Sequence, residues 1–179
     1  MILNNLIKKW ITTEIFLIDR LDSFSVIDSI PSPGENTIEI ITNSPEETFN
    51  LGKKISGHLT NGSVITLDGN LGSGKTCFVK GIAFGLGITE NITSPTYTII
   101  NEYYMKNSSN SFYHIDVYRL NNEEDFESTG GSQILNGNGI VLIEWGHRIN
   151  RLLPPGTISI SFTITGNTSR LIKIKGLPL

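Results

Sequence analysis

The chain has 179 residues, 38% of them hydrophobic and 17% charged, which suits one globular domain with a sizeable core and excludes a disordered polyelectrolyte. A formal net charge of -3 supplies no general pull toward nucleic acid or an anionic membrane, so any such contact is local or made through a partner. The single cysteine, Cys77, excludes an internal disulfide and a cysteine-based zinc site and fits a reducing cytosol.

Residues 1–36 read as an N-terminal extension. Leu3, Leu6, Ile7, Trp10 and Ile11 are apolar, but Lys8, Lys9, Glu14 and Asp19 interrupt the run. That falls short of the roughly 20 apolar residues a membrane span needs. No small-residue cleavage pattern follows a clean apolar stretch. The choice is between a loosely packed appendage and an amphipathic or transit segment, the appendage being the plainer. "SIPSPGEN" (29–36) carries two prolines and a glycine and forms a linker into one domain over 37–179.

Within that domain "TIEIIT" (37–42) alternates as a strand does. A helix follows, with Ser44 as N-cap, Pro45 at the first helical position and Glu47 closing a capping box. Thr48, Leu51, Ile55 and Leu59 recur at three- and four-residue steps along one face. The next strand, "SVITLDG" (63–69), runs into a glycine-rich loop and a helix from Lys75 to about Leu86, with Gly87 at the left-handed stop. Strands are predicted at 96–105, 111–118, 139–145, 157–164 and 170–176, and an acidic helix at 121–131. These elements give an α/β fold: a mixed, mostly parallel central sheet flanked by helices, ending in an antiparallel hairpin.

Gly69-Asn70-Leu71-Gly72-Ser73-Gly74-Lys75-Thr76 matches G-x-x-x-x-G-K-[ST] in full. Glycines let successive backbone N–H groups curl around a polyphosphate, and the helix that starts there adds its positive end. Lys75 supplies a point charge for the β- and γ-phosphates, and the Thr76 hydroxyl is a ligand for Mg²⁺. Such a site needs an acid at the end of a neighbouring strand, and two are present. "IVLIE" ends in Glu144, and "FYHID" ends in Asp116 with His114 on the same face. Spacing leaves open which acid touches the metal. It equally leaves His114 as packing residue or base, Arg119 as transition-state donor or ion-pair partner, and Trp145 as core or contact surface. "TSPTY" (93–97) is either a turn or a loop that senses the γ-phosphate.

The spaced series GNLGSGKT, SPTY, HIDVYRL and IEW…LLP resembles the TsaE family (also called YjeE) over about residues 37 to 176. The resemblance implies a compact P-loop domain without a helical substrate lid. It implies ATP and Mg²⁺ as cofactors, and cytoplasmic partnership with the TsaD and TsaB proteins. Its implied role is ATP turnover supporting threonylcarbamoyl transfer to the adenosine beside the tRNA anticodon. By the same resemblance Lys75 and the loop Gly69–Thr76 hold phosphates, Thr76 and Glu144 hold Mg²⁺, and Asp116, beside the metal, is needed for turnover. Ser94, Pro95 and Thr96 form a nucleotide-sensing loop, and Ser44 to Thr48 lie near the base.

Other readings are weaker. A small-molecule kinase would need a basic, mobile lid, and the arginines are few: Arg20, Arg119, Arg148, Arg151 and Arg170. A guanine-nucleotide switch would carry N-K-x-D, which the chain lacks. A non-hydrolysing adaptor stabilised by bound ATP differs from an ATPase only in turnover.

Overall fold

The computed structural model describes residues 25–27, 37–95, 99–106 and 108–178. In chain order the elements are β1 (Ser25–Ile27), β2 (Thr37–Thr42), α1 (Pro45–Ser56), β3 (Val64–Gly69), α2 (Lys75–Gly85), β4 (Ile100–Tyr104) and β5 (Ser111–Asp116). Two short helices follow, α3 (Glu123–Ser128) and α4 (Gly131–Leu135), then β6 (Ile140–Glu144), a 3-10 segment (Gly146–Leu152), β7 (Ile158–Ile164) and β8 (Arg170–Lys175). The strands form a single sheet in the order β1-β2-β8-β7-β3-β6-β5-β4. Its centre, β7-β3-β6-β5, is parallel, and both margins are antiparallel, including the C-terminal hairpin β7–β8. The mixed α/β class is therefore as the sequence implies. Sheet pairing also reaches into the segment before residue 37, because Ser25–Ile27 pairs antiparallel with β2.

The local signals explain the elements. Ser44 Oγ accepts from the Glu47 N–H at 3.1 Å, and the Glu47 carboxylate reaches back to the Asn43 N–H at 2.8 Å, one residue outside the usual capping-box amide. Strand β6, "IVLIE", is buried along its whole length. Its alternate residues feed two separate cores. Leu142, with Ile65, Leu67 and Phe162, packs under α1 and α2; Val141 and Ile143, with Ile115, Phe126 and Leu135, pack under α3 and α4. Strand β7 has an apolar face toward α1 and α2, and its Ser159 and Thr163 are exposed. That alternation suits a sheet margin covered on one side only.

Two expectations shift. The predicted acidic helix at 121–131 divides at Gly130, whose φ of +81° ends α3 before α4 begins. Phe126 is the one side chain of α3 that is buried, so a longer helix would have had no apolar stripe to bury. The strand predicted at 96–105 is observed only from Ile100, after Ile99 with φ +65°; residues 96–98 lie outside the described set.

Helices α1 and α2 meet backbone against backbone. A Cβ on Gly52 would overlap the Phe78 carbonyl oxygen, and one on Gly81 the Phe49 carbonyl. This close crossing fixes where α2 begins, and so where the glycine loop lies. Gly81→Ala is expected to cost about 1–3 kcal/mol or more, because rigid backbone must part to admit a methyl group. Urea unfolding measures it, and an unchanged midpoint would mean that the helices can separate freely.

Candidate functional site

Three adjacent parallel strands bring their C-terminal ends to one edge. Leu67 of β3 stands in register with Glu144 of β6, and Glu144 with Asp116 of β5. Register partners share a face, so both carboxylates lie on the side occupied by Leu67 and α2. In open α/β sheets this edge, beyond the carboxyl ends of the strands, is where ligands bind.

The loop from Gly69 to Gly74 turns on three glycines with φ of +151°, +75° and +102°, and hands over to α2 at Lys75. Lys75 is buried. Its ammonium donates to Gly69 O at 2.7 Å and Asn70 O at 3.3 Å, and lies 4.4 Å from the centroid of the Trp145 ring. Burial lowers its pKa from the ordinary lysine value, against the attraction of Glu144, Asp116 and Asp68 in that order. One cation thus faces three carboxylates at the loop mouth. Thr76, half-buried in the first turn of α2, and the exposed Asn70 and Leu71 complete the loop. The Ser73 hydroxyl is buried with no partner among the described residues, a polar atom left for a ligand or water. Loop, cation and hard-oxygen donors together fit a polyphosphate with Mg²⁺, which is normally held by one or two carboxylates plus phosphate oxygens.

The two acids are held differently. Asp116 accepts from Ser94 Oγ at 3.2 Å through one oxygen and from the Tyr118 N–H at 2.9 Å through the other. Glu144 is buried, and its Oε1 lies 3.0 Å from His114 Nε2. His114 is fully buried, and its Nδ1 has no partner among the described residues. An orphaned buried nitrogen of this kind costs about 1–3 kcal/mol. Ser94 thus ties the stretch 93–95 to the β5 end, whereas Thr96 lies outside the described residues.

At the start of α1, Ser44 Oγ is engaged as the cap. Thr48 is buried, its hydroxyl 2.8 Å from that of Thr42, and its methyl would lie 3.7 Å from a Cβ placed on Gly74. The first turn of α1 therefore abuts the far end of the glycine loop. Cys77, one residue past Thr76, has its Sγ 3.1 Å from Pro45 O, and burial raises its thiol pKa. It joins α2 to α1 as a packing residue.

Two contacts have no local sequence signal. Arg170, at the start of β8, donates to Ser73 O (3.0 Å) and Gly72 O (3.2 Å) in the loop, and to Ser169 O (2.8 Å) and Gly166 O (3.2 Å) in its own hairpin. It braces the loop by occupying two of its carbonyl oxygens. Asp68, the last side chain before the loop, pairs with His147 Nδ1 at 2.6 Å. That pair pins the chain just after Trp145, whose backbone is left-handed at φ +64° and whose ring meets Tyr118 at 5.0 Å. Trp145 is thus both packed at a strand end and part of the lysine's surroundings.

A parallel strand running through a glycine cradle into a helix, with acids at the ends of neighbouring strands, defines a P-loop NTPase fold. The family model described as "Threonylcarbamoyl adenosine biosynthesis protein TsaE" matches residues 42–172. The chain belongs to the TsaE family. It is 42% identical over 134 residues to the tRNA threonylcarbamoyladenosine biosynthesis protein TsaE of Treponema pallidum (strain Nichols), covering 75% of this chain and 97% of that protein. Against the protein of the same name from Bacillus subtilis (strain 168) it is 42% identical over 131 residues, covering 73% and 80%. The crystal structure of Bacillus subtilis YdiB superposes with a TM-score of 0.66 at 34% identity, over 82% of this chain and 90% of that one. No helix among the described residues is long and apolar enough to cross a membrane.

Proposed function

We propose that the protein binds and hydrolyses ATP as the energy-using subunit of tRNA N6-threonylcarbamoyladenosine synthesis, with residues 37–179 as the ATPase domain. The observation that carries this reading is the buried Lys75 ammonium at a glycine cradle, facing Glu144, Asp116 and Asp68. The amides of Gly69 to Thr76 and the α2 N-terminus hold the phosphates, with Lys75 as their counter-charge. Thr76 and Glu144 are the residues that would hold Mg²⁺, which when bound neutralises charge between the β- and γ-phosphates. Asp116, at the edge of that shell, orients the attacking water, and its bond to Ser94 links it to the 93–97 loop. Ser44 and Thr48 border the nucleotide base.

TsaD and TsaB are the proposed partners and the cytoplasm the proposed location. Hydrolysis is expected to be slow alone and to rise in the complex, where a partner can supply a transition-state donor. Steady-state hydrolysis of ATP with Mg²⁺, with and without TsaD and TsaB, tests the proposal when wild type is compared with Asp116→Asn. The variant is expected to lose about a hundredfold or more in turnover, the usual weight of a positioned acid or base, at nearly unchanged ATP affinity. Equal turnover in the two proteins would remove Asp116 from the reaction.

A further inference from the structure

His114 shares a sheet face with Glu144: it stands in register with Leu142, two residues before Glu144 on the neighbouring strand. Such diagonal neighbours are within reach of long side chains. A carboxylate offers only acceptors, so the His114 Nε2 proton faces Oε1 at 3.0 Å. The other ring nitrogen is buried without a partner among the described residues; on this face Phe112 and Leu142 are fully buried, and the half-buried Asn101 of β4 stands opposite His114. A residue kept only to fill this space would be aliphatic or aromatic and would leave nothing unsatisfied. What the imidazole adds is a single N–H to one oxygen of Glu144. Lys75 does not supply that restraint, since its ammonium is turned to the carbonyls of Gly69 and Asn70.

We propose that His114 is a positioning residue for Glu144: its Nε2–H fixes one carboxylate oxygen so that the other is presented to Mg²⁺ at the loop mouth. The proposal rests on the assignment of Glu144 to the Mg²⁺ shell made above. Partners one step out from a metal act in this way, by orienting the ligand and limiting its rotation. His114 touches neither nucleotide nor metal in this role, so its effect appears in the metal dependence of binding rather than in ATP affinity itself.

The test is calorimetric titration of the full chain with ATP, without metal and at rising Mg²⁺, for wild type, Glu144→Gln, His114→Asn and His114→Gln. Glutamine carries its amide at the position of Nε2, whereas asparagine carries it at the Nδ1 side. Both are polar, glutamine being near the size of histidine and asparagine smaller, and a melting curve for each reports folding. Glu144→Gln and His114→Asn are expected to raise the Mg²⁺ concentration for half-maximal tightening of ATP about tenfold or more, with His114→Gln restoring it to within about threefold of wild type. Metal-free ATP affinity should stay the same in the two His114 variants. A shift in Glu144→Gln without one in His114→Asn would overturn the proposal, as would equal shifts in the asparagine and glutamine variants, which would mark a packing role. If Glu144→Gln itself binds like wild type, the placement of Glu144 in the metal shell is wrong and the role of His114 falls with it.

Discussion

ATP is expected to raise the melting temperature of the wild-type protein, and replacing Lys75 by alanine to abolish that rise and to cut turnover about a hundredfold or more, as loss of a preorganised charge at a transferring phosphoryl group does. The ammonium is buried, and its present acceptors are the loop's own carbonyls. An incoming phosphate therefore replaces neutral acceptors with a charged one, a stronger partner for the same donor. Burial lowers the lysine pKa, so the charge is held at a cost in solvation that a bound polyphosphate relieves. Alanine removes this gain and leaves Glu144, Asp116 and Asp68 without the cation they face. A ligand at a hundred times its dissociation constant stabilises a fold by about 2.7 kcal/mol, well within the range of thermal unfolding measurements. Should Lys75→Ala melt at the same raised temperature in ATP, the loop would not be the phosphate site.

The parts of this site legible in the sequence are those written in one contiguous stretch. The glycine spacing, Lys75 and Thr76 define the cradle locally, and the two acids follow apolar runs that fix them at strand ends. The helix cap at Ser44 is likewise complete within four residues. What stayed hidden depends on register between distant strands. His114 meets Glu144 across 30 residues, His147 meets Asp68 across 79, and Arg170 reaches Ser73 across 97. No periodicity encodes these pairs; they exist because β3, β5, β6 and β8 are placed by the two cores. His114 is instructive here. Alternation put it on the face of Asp116, yet only the pairing of β5 with β6 shows that its partner is Glu144. The acidic stretch at 121–131 misled for the converse reason: its charges favour a helix start, but a single buried phenylalanine cannot hold a long helix to the sheet.

Gly69→Ala is expected to damage both the fold and the site, because this glycine serves both at once. It pairs with Phe162 across β3 and β7, and its carbonyl is the nearer acceptor of Lys75. A Cβ here would lie 2.8 Å from both Phe162 O and Ser73 Oγ and 3.0 Å from Phe162 Cβ, on a backbone with φ +151°. Either β7 moves away from β3 or the loop opens, and each course displaces the lysine's acceptor. Overpacking and backbone strain together put the loss at about 1–3 kcal/mol in urea unfolding, with stabilisation by ATP lost as well. Gly72→Ala isolates strain from crowding. Its φ is +75°, but a Cβ would meet nothing within 4 Å. That variant should lose only the left-handed penalty of about 1–2 kcal/mol and keep part of its response to ATP. An alanine at 69 that unfolds like wild type and is still stabilised by ATP would mean that the cradle does not depend on the contact between β3 and β7, and the link drawn here between sheet register and phosphate loop would fail.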